Sequence, residues 1–209
     1  MQLCFLLAIL LSSSALKAQD KTISRIRNEL EKSTNPPLYA KSVLKKSIVL
    51  DTITIRHLTS FRGRVDSLAY HGKTGKVYGP FDNGRVLVQI LAKSPNTFYK
   101  ISQIFIDSSV FTQKFADSLS AEILLKIRDN KSGFEEQAAI YSMGGEAATK
   151  GELGWVASGA LLPGIEAELK KRKKGDLFRI WTKTGLHIIR KDEDDKKDTG
   201  YVLLMRVLL

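Results

Sequence analysis

Cysteine is almost absent from this sequence, since Cys4 is the only one among its 209 residues. It lies in an N-terminal segment with the features of a cleavable secretory signal, so the mature chain would contain none. Disulfide bonds, thiolate metal sites and a cysteine nucleophile are therefore excluded. We expect no metal and no other cofactor.

The chain also lacks an apolar run long enough for a permanent membrane-spanning helix. The run Leu3–Leu11 is followed by the small residues Ser12–Ala15, and the sequence becomes polar after Ala18. This order is typical of the apolar core and cleavage zone of a secretory signal, although Leu16 stands where a small residue is expected. We predict a signal peptide over residues 1–19 and export to the periplasm. The alternative is an uncleaved segment that anchors the chain in the membrane.

Acidic residues are few compared with basic ones, 22 against 33, which gives a formal net charge of +11. Such an excess ordinarily indicates a nucleic-acid partner. An exported protein rarely meets nucleic acid, and the sequence contains no nucleic-acid-binding motif. We therefore expect no nucleic-acid partner, and we assign the basic surface to anionic membrane surfaces or to acidic, unfolded polypeptides.

A phosphate-binding loop is missing as well. Gly72–Lys76 contains Gly-Lys-Thr, but a Walker A loop needs another glycine five residues earlier, and that residue is Ser67. This segment is predicted to be a plain turn. A second turn is predicted at Gly79–Gly84, before a strand over Arg85–Leu91.

The composition, 43% hydrophobic and 26% charged, is that of a globular protein. We predict a small mixed α/β accessory domain over residues 20–96, a second domain over 97–191, and a charged linker with a C-terminal strand over 192–209. The accessory domain begins with a helix that Asn35–Pro37 ends. Ala40–Leu50 is a candidate second helix, and the overlapping segment Ser47–His57 has the apolar pattern of a strand.

The second domain is predicted to be α+β, with helices around a small, mainly antiparallel sheet. Alternation in the strand Tyr99–Asp107 places Gln103 on the face opposite Ile104, and in the last strand His187 lies on the face opposite Ile188. The predicted elements between these strands are a helix with the stripe Phe111, Phe115, Leu119 and Ile123, a short helix Phe134–Tyr141, a small-residue loop, a helix from Pro163, and a strand Leu177–Thr182.

Three motifs in this domain resemble those of the parvulin-type peptidyl-prolyl isomerases. Phe134–Ser142 is similar to the family's Phe-x-x-x-Ala-x-x-Tyr/Phe-Ser, Lys150–Trp155 to its Gly-Gly-Asp-Leu-Gly-Trp/Phe, and Thr182–Ile189 to its Thr-x-x-Gly-x-His-Ile-Ile. Each motif alone is weak evidence, but all three occur in order at compatible spacing. The resemblance covers about Tyr99–Arg190.

The resemblance implies catalysis of cis/trans rotation about X-Pro bonds, with unfolded or proline-containing polypeptides as partners. By position, the substrate-binding residues would be Leu153, Leu161, Ile165 and Trp155, of which Ile165 stands where the family usually has Phe. The catalytic residues would be His187, Thr184, Thr182 and Gln103.

Two departures from the family pattern lie on the polar side of this site. Gln103 replaces the first family histidine, and its amide both donates and accepts hydrogen bonds. Gly144 stands where the family carries Cys or Asp, and Glu146 is the candidate substitute. On this basis Gly144→Asp would be expected to raise activity. The arginine pair of phosphate-specific members is absent from Asp107–Phe111, so no selectivity for phosphoserine-proline is expected.

The sequence therefore leaves two functions open. The first is an exported isomerase, with reduced or ordinary activity, that accelerates proline-limited folding. The second is a catalytically degenerate parvulin fold that binds peptides as a holdase chaperone. The C-terminal segment Tyr201–Leu208 is predicted to be an added sheet strand in either case.

Overall fold

The computed structural model of the protein describes residues 18–209. The predicted signal peptide, with Cys4, lies outside the described residues except for Ala18 and Gln19, which are helical. Within the described range, no helix combines the length and apolar character needed to cross a membrane.

Helices and strands alternate irregularly along the chain. The helices are α1 (residues 18–32), α2 (Pro36–Ser42), α3 (Arg64–His71), α4 (Gln113–Arg128), α5 (Phe134–Tyr141) and α6 (Pro163–Leu169), with a 3-10 helix at Gly145–Thr149. The strands are β1 (Ile48–Thr54), β2 (Val77–Phe81), β3 (Val86–Asp107), β4 (Glu152–Ala157), β5 (Leu177–Trp181), β6 (Gly185–Lys191) and β7 (Lys196–Leu208).

The described chain divides into two compact units. The first consists of the residues up to Thr54, Gly63–Ser94 and Tyr201–Leu209, and the second of Ile55–Arg62 and Pro95–Gly200. The long strands β3 and β7 contribute residues to both units. The predicted strand Tyr201–Leu208 is the end of β7 and belongs to the first unit.

The first unit packs α1 and α2 on strands through one apolar core. Ile23, Ile26 and Leu30 recur at helical spacing in α1 and are buried, as their spacing predicts. The residues that they meet in this core are Ala40, Val77, Leu87, Met205 and Val207. β2 and β3 form an antiparallel hairpin, and β1 pairs with β7 in one unbroken register.

Two prolines, Pro36 and Pro37, follow the end of α1 and are the first residues of α2. The predicted end of the first helix is correct, because α1 stops at residue 32. The prolines also begin the next helix: the Asn35 side chain caps it by accepting from the Leu38 N–H, and Pro36 fits the first turn because no hydrogen-bond donor is needed there. The candidate helix over Ala40–Leu50 is therefore wrong, since residues from Ile48 onward form β1.

The second unit is built on an antiparallel sheet in which β3 pairs with β4 and with β6, and β6 pairs with β5. The predicted α+β class with a mainly antiparallel sheet is confirmed. One face is covered by α4 and α5, and its buried residues include Ile104, Ile106, Leu186 and Ile188. The other face carries α6 and the residues of the candidate site.

The predicted stripe of α4 is confirmed except at Phe115, because Ile123 is buried and Phe111 and Leu119 pack against the same core. Phe115 is 49% exposed, whereas Ala116, Ser120, Ile123 and Leu124 are buried. The helix begins at Gln113, with Thr112 as its cap, so Phe111 packs against the core from just before the helix.

Candidate functional site

Strand alternation brings Gln103 and His187 to the same face of the sheet. In the antiparallel pair of β3 and β6, Gln103 lies opposite Ile189, and Phe105 lies opposite His187. The rings of Phe105 and His187 are 4.8 Å apart between centroids. Directly opposed residues share a face, so this face combines polar and aromatic groups.

The four predicted polar residues form one chain of hydrogen bonds. Gln103 Oε1 is 3.0 Å from His187 Nδ1, and His187 Nε2 is 3.0 Å from Thr182 Oγ1. Thr182 Oγ1 is in turn 3.0 Å from Thr184 Oγ1 and accepts from the Thr184 N–H at 3.2 Å. His187 is buried, while Thr184 lies at the exposed end of the chain.

Glu146 extends this chain from the 3-10 helix. Its Oε1 accepts from Gln103 Nε2 at 3.2 Å and from Ser142 Oγ at 2.7 Å. Ser142 Oγ also accepts from the Phe105 N–H at 2.9 Å, which fixes the loop after α5 to β3. The Glu146 side chain is largely buried, with 9% of the residue exposed. A carboxylate is therefore present beside Gln103, supplied two residues after Gly144.

The carboxylate sets the direction of every hydrogen bond in the chain. An ionised carboxylate only accepts, so the Gln103 amide must turn its NH₂ group towards Glu146 and its oxygen towards His187. His187 then carries its proton on Nδ1, and in the neutral ring Nε2 is left to accept from the Thr182 hydroxyl. Glu146 thus selects one tautomer of a histidine that it does not touch.

Burial favours the neutral form of His187. Removal from water lowers the pKa of His187 below its ordinary value of 6.5, and the nearby Glu146 charge acts in the opposite, weaker direction. A neutral ring agrees with the hydrogen-bond pattern, because Gln103 Oε1 needs one N–H and the Thr182 hydroxyl needs one lone pair.

We expect the stability of the protein to fall as the pH drops through 6.5, the ordinary histidine value. The pKa of His187 is lower in the folded chain, so at intermediate pH the unfolded chain binds the extra proton and acid favours unfolding. Urea denaturation between about pH 8 and pH 5 would measure this slope, and His187→Gln should reduce it. Part of the slope should remain, because burial also lowers the pKa of His57. An equal slope in the variant would contradict the assignment.

Gly144 leaves the space that the Glu146 side chain occupies. A Cβ atom built on Gly144 would lie 2.1 Å from Glu146 Oε2 and 2.6 Å from its carboxyl carbon. These distances are far inside van der Waals contact, so a side chain at 144 and the present position of Glu146 exclude each other. The structure thus removes the basis for expecting Gly144→Asp to raise activity.

An apolar cluster lies on the same sheet face as the polar chain. Its fully buried members are Tyr99, Ile101, Val156, Ile165, Leu169, Phe178 and Ile189. Leu153, Leu161 and Ile180 pack against it and are partly exposed. Ile180 lies directly opposite His187 in the pairing of β5 and β6, and so it joins the cluster to the polar chain.

The loop that carries Leu161 is held by a carboxylate from α6. Glu166 accepts from the Leu161 N–H at 3.3 Å, from Ser158 Oγ at 3.2 Å and also from the Gly159 N–H. A side chain at the start of a helix commonly satisfies free N–H groups in this way. Here the bonds position Leu161 over the cluster to which Ile165 belongs.

Trp155 is the predicted site residue that the structure does not bring to this cluster. It lies opposite Lys100 in the pairing of β3 and β4, whereas Tyr99 and Ile101 on either side of Lys100 belong to the cluster. Its ring lies 5.9 Å from Lys196 Nζ. Trp155 therefore faces the other side of the sheet from Leu161 and Ile165.

A glycine is required where the second motif meets β3. Gly151 has φ of +90°, and a Cβ there would lie 2.8 Å from Ala138 Cβ and 2.9 Å from the Gln103 carbonyl oxygen. The Gly151 carbonyl accepts from the Gln103 N–H at 2.8 Å. The motif thus fixes the backbone of the strand that presents Gln103.

Sequence reasoning did not assign Ser142, Phe105, Ile180 or Glu166 to the site. Phe105 and Ile180 could have been found from strand alternation, since each lies directly opposite His187. Ser142 ends the first motif, but nothing in the sequence indicates that its hydroxyl reaches Glu146. Within residues 18–209 no group of three or more His, Cys, Asp or Glu side chains is placed to hold a metal ion.

Comparison with known proteins identifies the second unit. Residues 100–193 match the Rotamase family, described as the PPIC-type PPIASE domain. This segment is a parvulin-type PPIase domain. The matched residues include the whole polar chain and all of Leu153, Leu161 and Ile165, so the candidate site lies inside the PPIase domain.

Individual relatives are similar to parts of the chain. Chaperone SurA from Nitrosospira multiformis is 34% identical over 73 residues, covering 34% of this chain and 17% of the relative. Chaperone SurA from Bordetella avium is 27% identical over 92 residues, covering 44% of this chain and 18% of the relative. The chain thus matches less than a fifth of the length of either.

Among solved structures, PrsA from Bacillus anthracis, titled a peptidylprolyl isomerase, is 27% identical with a TM-score of 0.40, over 50% of this chain and 44% of that one.

Proposed function

We propose that this protein is a peptidyl-prolyl cis-trans isomerase that acts on X-Pro bonds of unfolded, exported polypeptides. The observation that carries the proposal is the placement, on one sheet face of the PPIase domain, of an apolar cluster beside a continuous chain of hydrogen bonds. Leu153, Leu161 and Ile165 would hold the proline ring. Gln103, His187, Thr182 and Thr184 would form the polar floor.

The reaction requires rotation about a partial double bond and no bond breaking. The barrier is about 20 kcal/mol, because the twisted imide loses its resonance. A cluster that holds the proline ring while the preceding residue rotates would favour the twisted form if its contacts are better there than in either planar isomer. Partly exposed Leu153 and Leu161 above buried Ile165 supply such an apolar surface.

The polar chain supplies fixed dipoles and no proton transfer. Rotation turns the imide nitrogen into a better acceptor and changes the charge on the carbonyl oxygen, so donors and acceptors of fixed direction can stabilise the twisted state. A neutral Gln103 serves this purpose as well as a histidine does, since neither has to titrate. The replacement of the first family histidine is therefore compatible with activity.

A second candidate function is a peptide-binding holdase that has lost isomerase activity. The departures at Gln103 and Gly144 favour it, because both change the polar side of the site while the apolar cluster is kept. In this alternative the apolar surface of Leu153, Leu161 and Ile165, here called the cup, binds proline-containing segments without turning them, and protection from aggregation is the useful result.

A protease-free isomerisation assay on an Ala-Pro peptide, together with refolding of a proline-limited protein, tests these functions. Acceleration of both reactions is the expected result. No rate above background combined with suppression of aggregation would overturn the isomerase proposal in favour of the holdase.

Leu161→Ala should lower kcat/KM in the peptide assay about five-fold, near the low end of what missing methylene groups cost in an apolar pocket. Leu161 is only partly buried, so the fold should tolerate the change. Leu162→Ala is a matched control, because the neighbouring Leu162 is 44% exposed and lies outside the cluster. Equal rates for both variants would mean that the cup is misplaced.

Export to the periplasm belongs to the same proposal, with an uncleaved membrane anchor as the alternative. The positive charge would allow association with anionic membrane surfaces, and no nucleic-acid partner is proposed. The proposed organisation remains an accessory domain over residues 20–96, the isomerase domain over 97–191 and a linker with a strand over 192–209. Liposome flotation with anionic and neutral lipids would test the membrane association.

A further inference from the structure

Among residues 18–209, the outermost strand of the first unit is β1, and no strand of this range pairs with its outer edge. Within residues 18–209, β1 lies at the end of the strand order and its recorded partner is β7. Seven consecutive pairs join the two strands without a bulge. Natural proteins usually protect such an edge with proline, lysine, a bulge or a covering segment. The strand Ile48–Thr54 contains no proline and no lysine, and its one charge, Asp51, pairs with Arg206 at 2.9 Å.

The hydrogen bonds at both ends of β1 establish which of its backbone groups face outward. Leu208 N donates to Ser47 O at 3.0 Å, and Ile55 N donates to Gly200 O at 2.8 Å. Because such bonds alternate along an antiparallel pair, Val49, Asp51 and Ile53 bond β7. The N–H and C=O groups of Leu50, Thr52 and Thr54 therefore point away from β7.

Apolar side chains accompany these outward-facing groups. Leu50 is 51% exposed, and Tyr201 and Leu203 on β7 are 41% and 37% exposed. Thr52 lies opposite Leu203 and Thr54 opposite Tyr201, so all five residues share one face of the strand pair. An extended segment beside β1 would place every second side chain next to Leu50, Thr52 and Thr54 on this face.

We propose that the β1 edge binds an extended, proline-poor apolar segment of a polypeptide client by adding it as a further strand. This proposal rests on the proposed action on unfolded polypeptides, which supplies the occupant. Main-chain hydrogen bonds give affinity without sequence specificity, and apolar contacts on alternate residues favour segments that would otherwise aggregate. The edge binds the part of a client that contains no proline, and the isomerase site acts on the part that does.

A proline-free probe separates this edge from the isomerase site. The probe is a fluorescein-labelled peptide of sequence Lys-Thr-Val-Thr-Val-Thr-Val-Lys, with blocked ends, titrated with the full chain in an anisotropy experiment. Wild type should bind it saturably. Thr52→Pro removes an outward N–H without breaking the ladder to β7, and should weaken binding about ten-fold. Thr52→Ala keeps the N–H and should bind like wild type.

A second probe, N-methylated at every threonine and valine, keeps every side chain but cannot donate from these residues at either edge, and should not bind. It decides the matter if Thr52→Pro does not fold. The proposal would be overturned if wild type bound the methylated probe as tightly as the unmethylated one. It would also be overturned if a folded Thr52→Pro variant bound the unmethylated probe as tightly as wild type does. A wild-type dimer in sedimentation experiments that Thr52→Pro dissociates would also overturn it, since a second copy would then occupy the edge.

The Ala-Pro peptide rate, measured on the same samples, keeps the two proposals apart. It should be unchanged by Thr52→Pro. Probe binding without any isomerase rate would remove the proposed enzyme function and leave the edge site standing, whereas a normal rate without probe binding would do the reverse.

Discussion

Replacing Glu146 by glutamine is expected to lower kcat/KM for X-Pro isomerisation about ten- to hundred-fold, since a hydrogen bond to a charged group contributes roughly 1.5–3 kcal/mol. Glu146 bonds both Gln103 and Ser142 from a largely buried position. A glutamine can turn either its oxygen or its NH₂ group towards Gln103, so the direction of the chain through His187 is no longer fixed. We expect the hydrogen bonds of the polar floor to lose their fixed direction, whereas the apolar cup should be unchanged.

Nitrogen NMR of His187 gives a readout that general destabilisation would not produce. The wild-type ring should carry its proton on Nδ1, and in Glu146→Gln both tautomers should be populated. KM should change less than kcat, because the cup still binds proline. Glu122→Gln is the matched control, since Glu122 is exposed on α4 and forms an ion pair with Lys126. A normal rate with a normal tautomer in Glu146→Gln would refute the role given to Glu146.

Gly144→Asp is expected to lower activity about ten-fold, the opposite of what the family pattern alone predicts. The new Cβ would fall 2.1 Å from Glu146 Oε2, so the two side chains cannot keep their places. Displacing Glu146 breaks its bond to Gln103, and two carboxylates side by side repel each other. The cost should therefore resemble that of losing the charge-assisted bond, about 1.4 kcal/mol for a ten-fold effect.

The double variant Gly144→Asp with Glu146→Ala distinguishes a steric conflict from general damage. With Glu146 shortened, an aspartate at 144 has room and can supply the carboxylate near Gln103. Activity should then exceed that of Glu146→Ala alone, which is a strong positive coupling between neighbouring sites. Additive losses would mean that the loop cannot exchange one carboxylate for the other.

Much of the candidate site could be predicted from the sequence, because strand alternation and family motifs are local properties. The two-residue period of a strand gives the side of β3 on which Gln103 lies and the side of β6 on which His187 lies. The pairing of β3 with β6 puts both residues on the same face of the sheet. The motif residues Leu153, Leu161 and Ile165 pack in one cluster, as the family resemblance implies. The same locality explains the confirmed helix Phe134–Tyr141 and the confirmed antiparallel class.

Contacts between distant segments could not be predicted in this way. Phe115 has the spacing of the predicted α4 stripe but is exposed, because the packing of this helix on the sheet buries Ala116 and Ser120 instead. Trp155 stands in a predicted motif, but a register shift between Ile101 and Ser102 and the positive φ of Gly154 interrupt simple alternation in β4.

The sequence by itself determined that the apolar residues Leu153, Leu161 and Ile165 and the polar residues around His187 share one domain, since the motifs that contain them are local features of the chain. Only the tertiary structure decided what orders the polar floor. Glu146 and Gln103 are 43 residues apart in the sequence. Their 3.2 Å hydrogen bond forms because Ser142 fixes the loop to β3 and Gly144, which has no side chain, leaves room for the Glu146 carboxylate. The position of the Glu146 carboxylate depends on the folded backbone, so the sequence alone does not show that it lies beside Gln103.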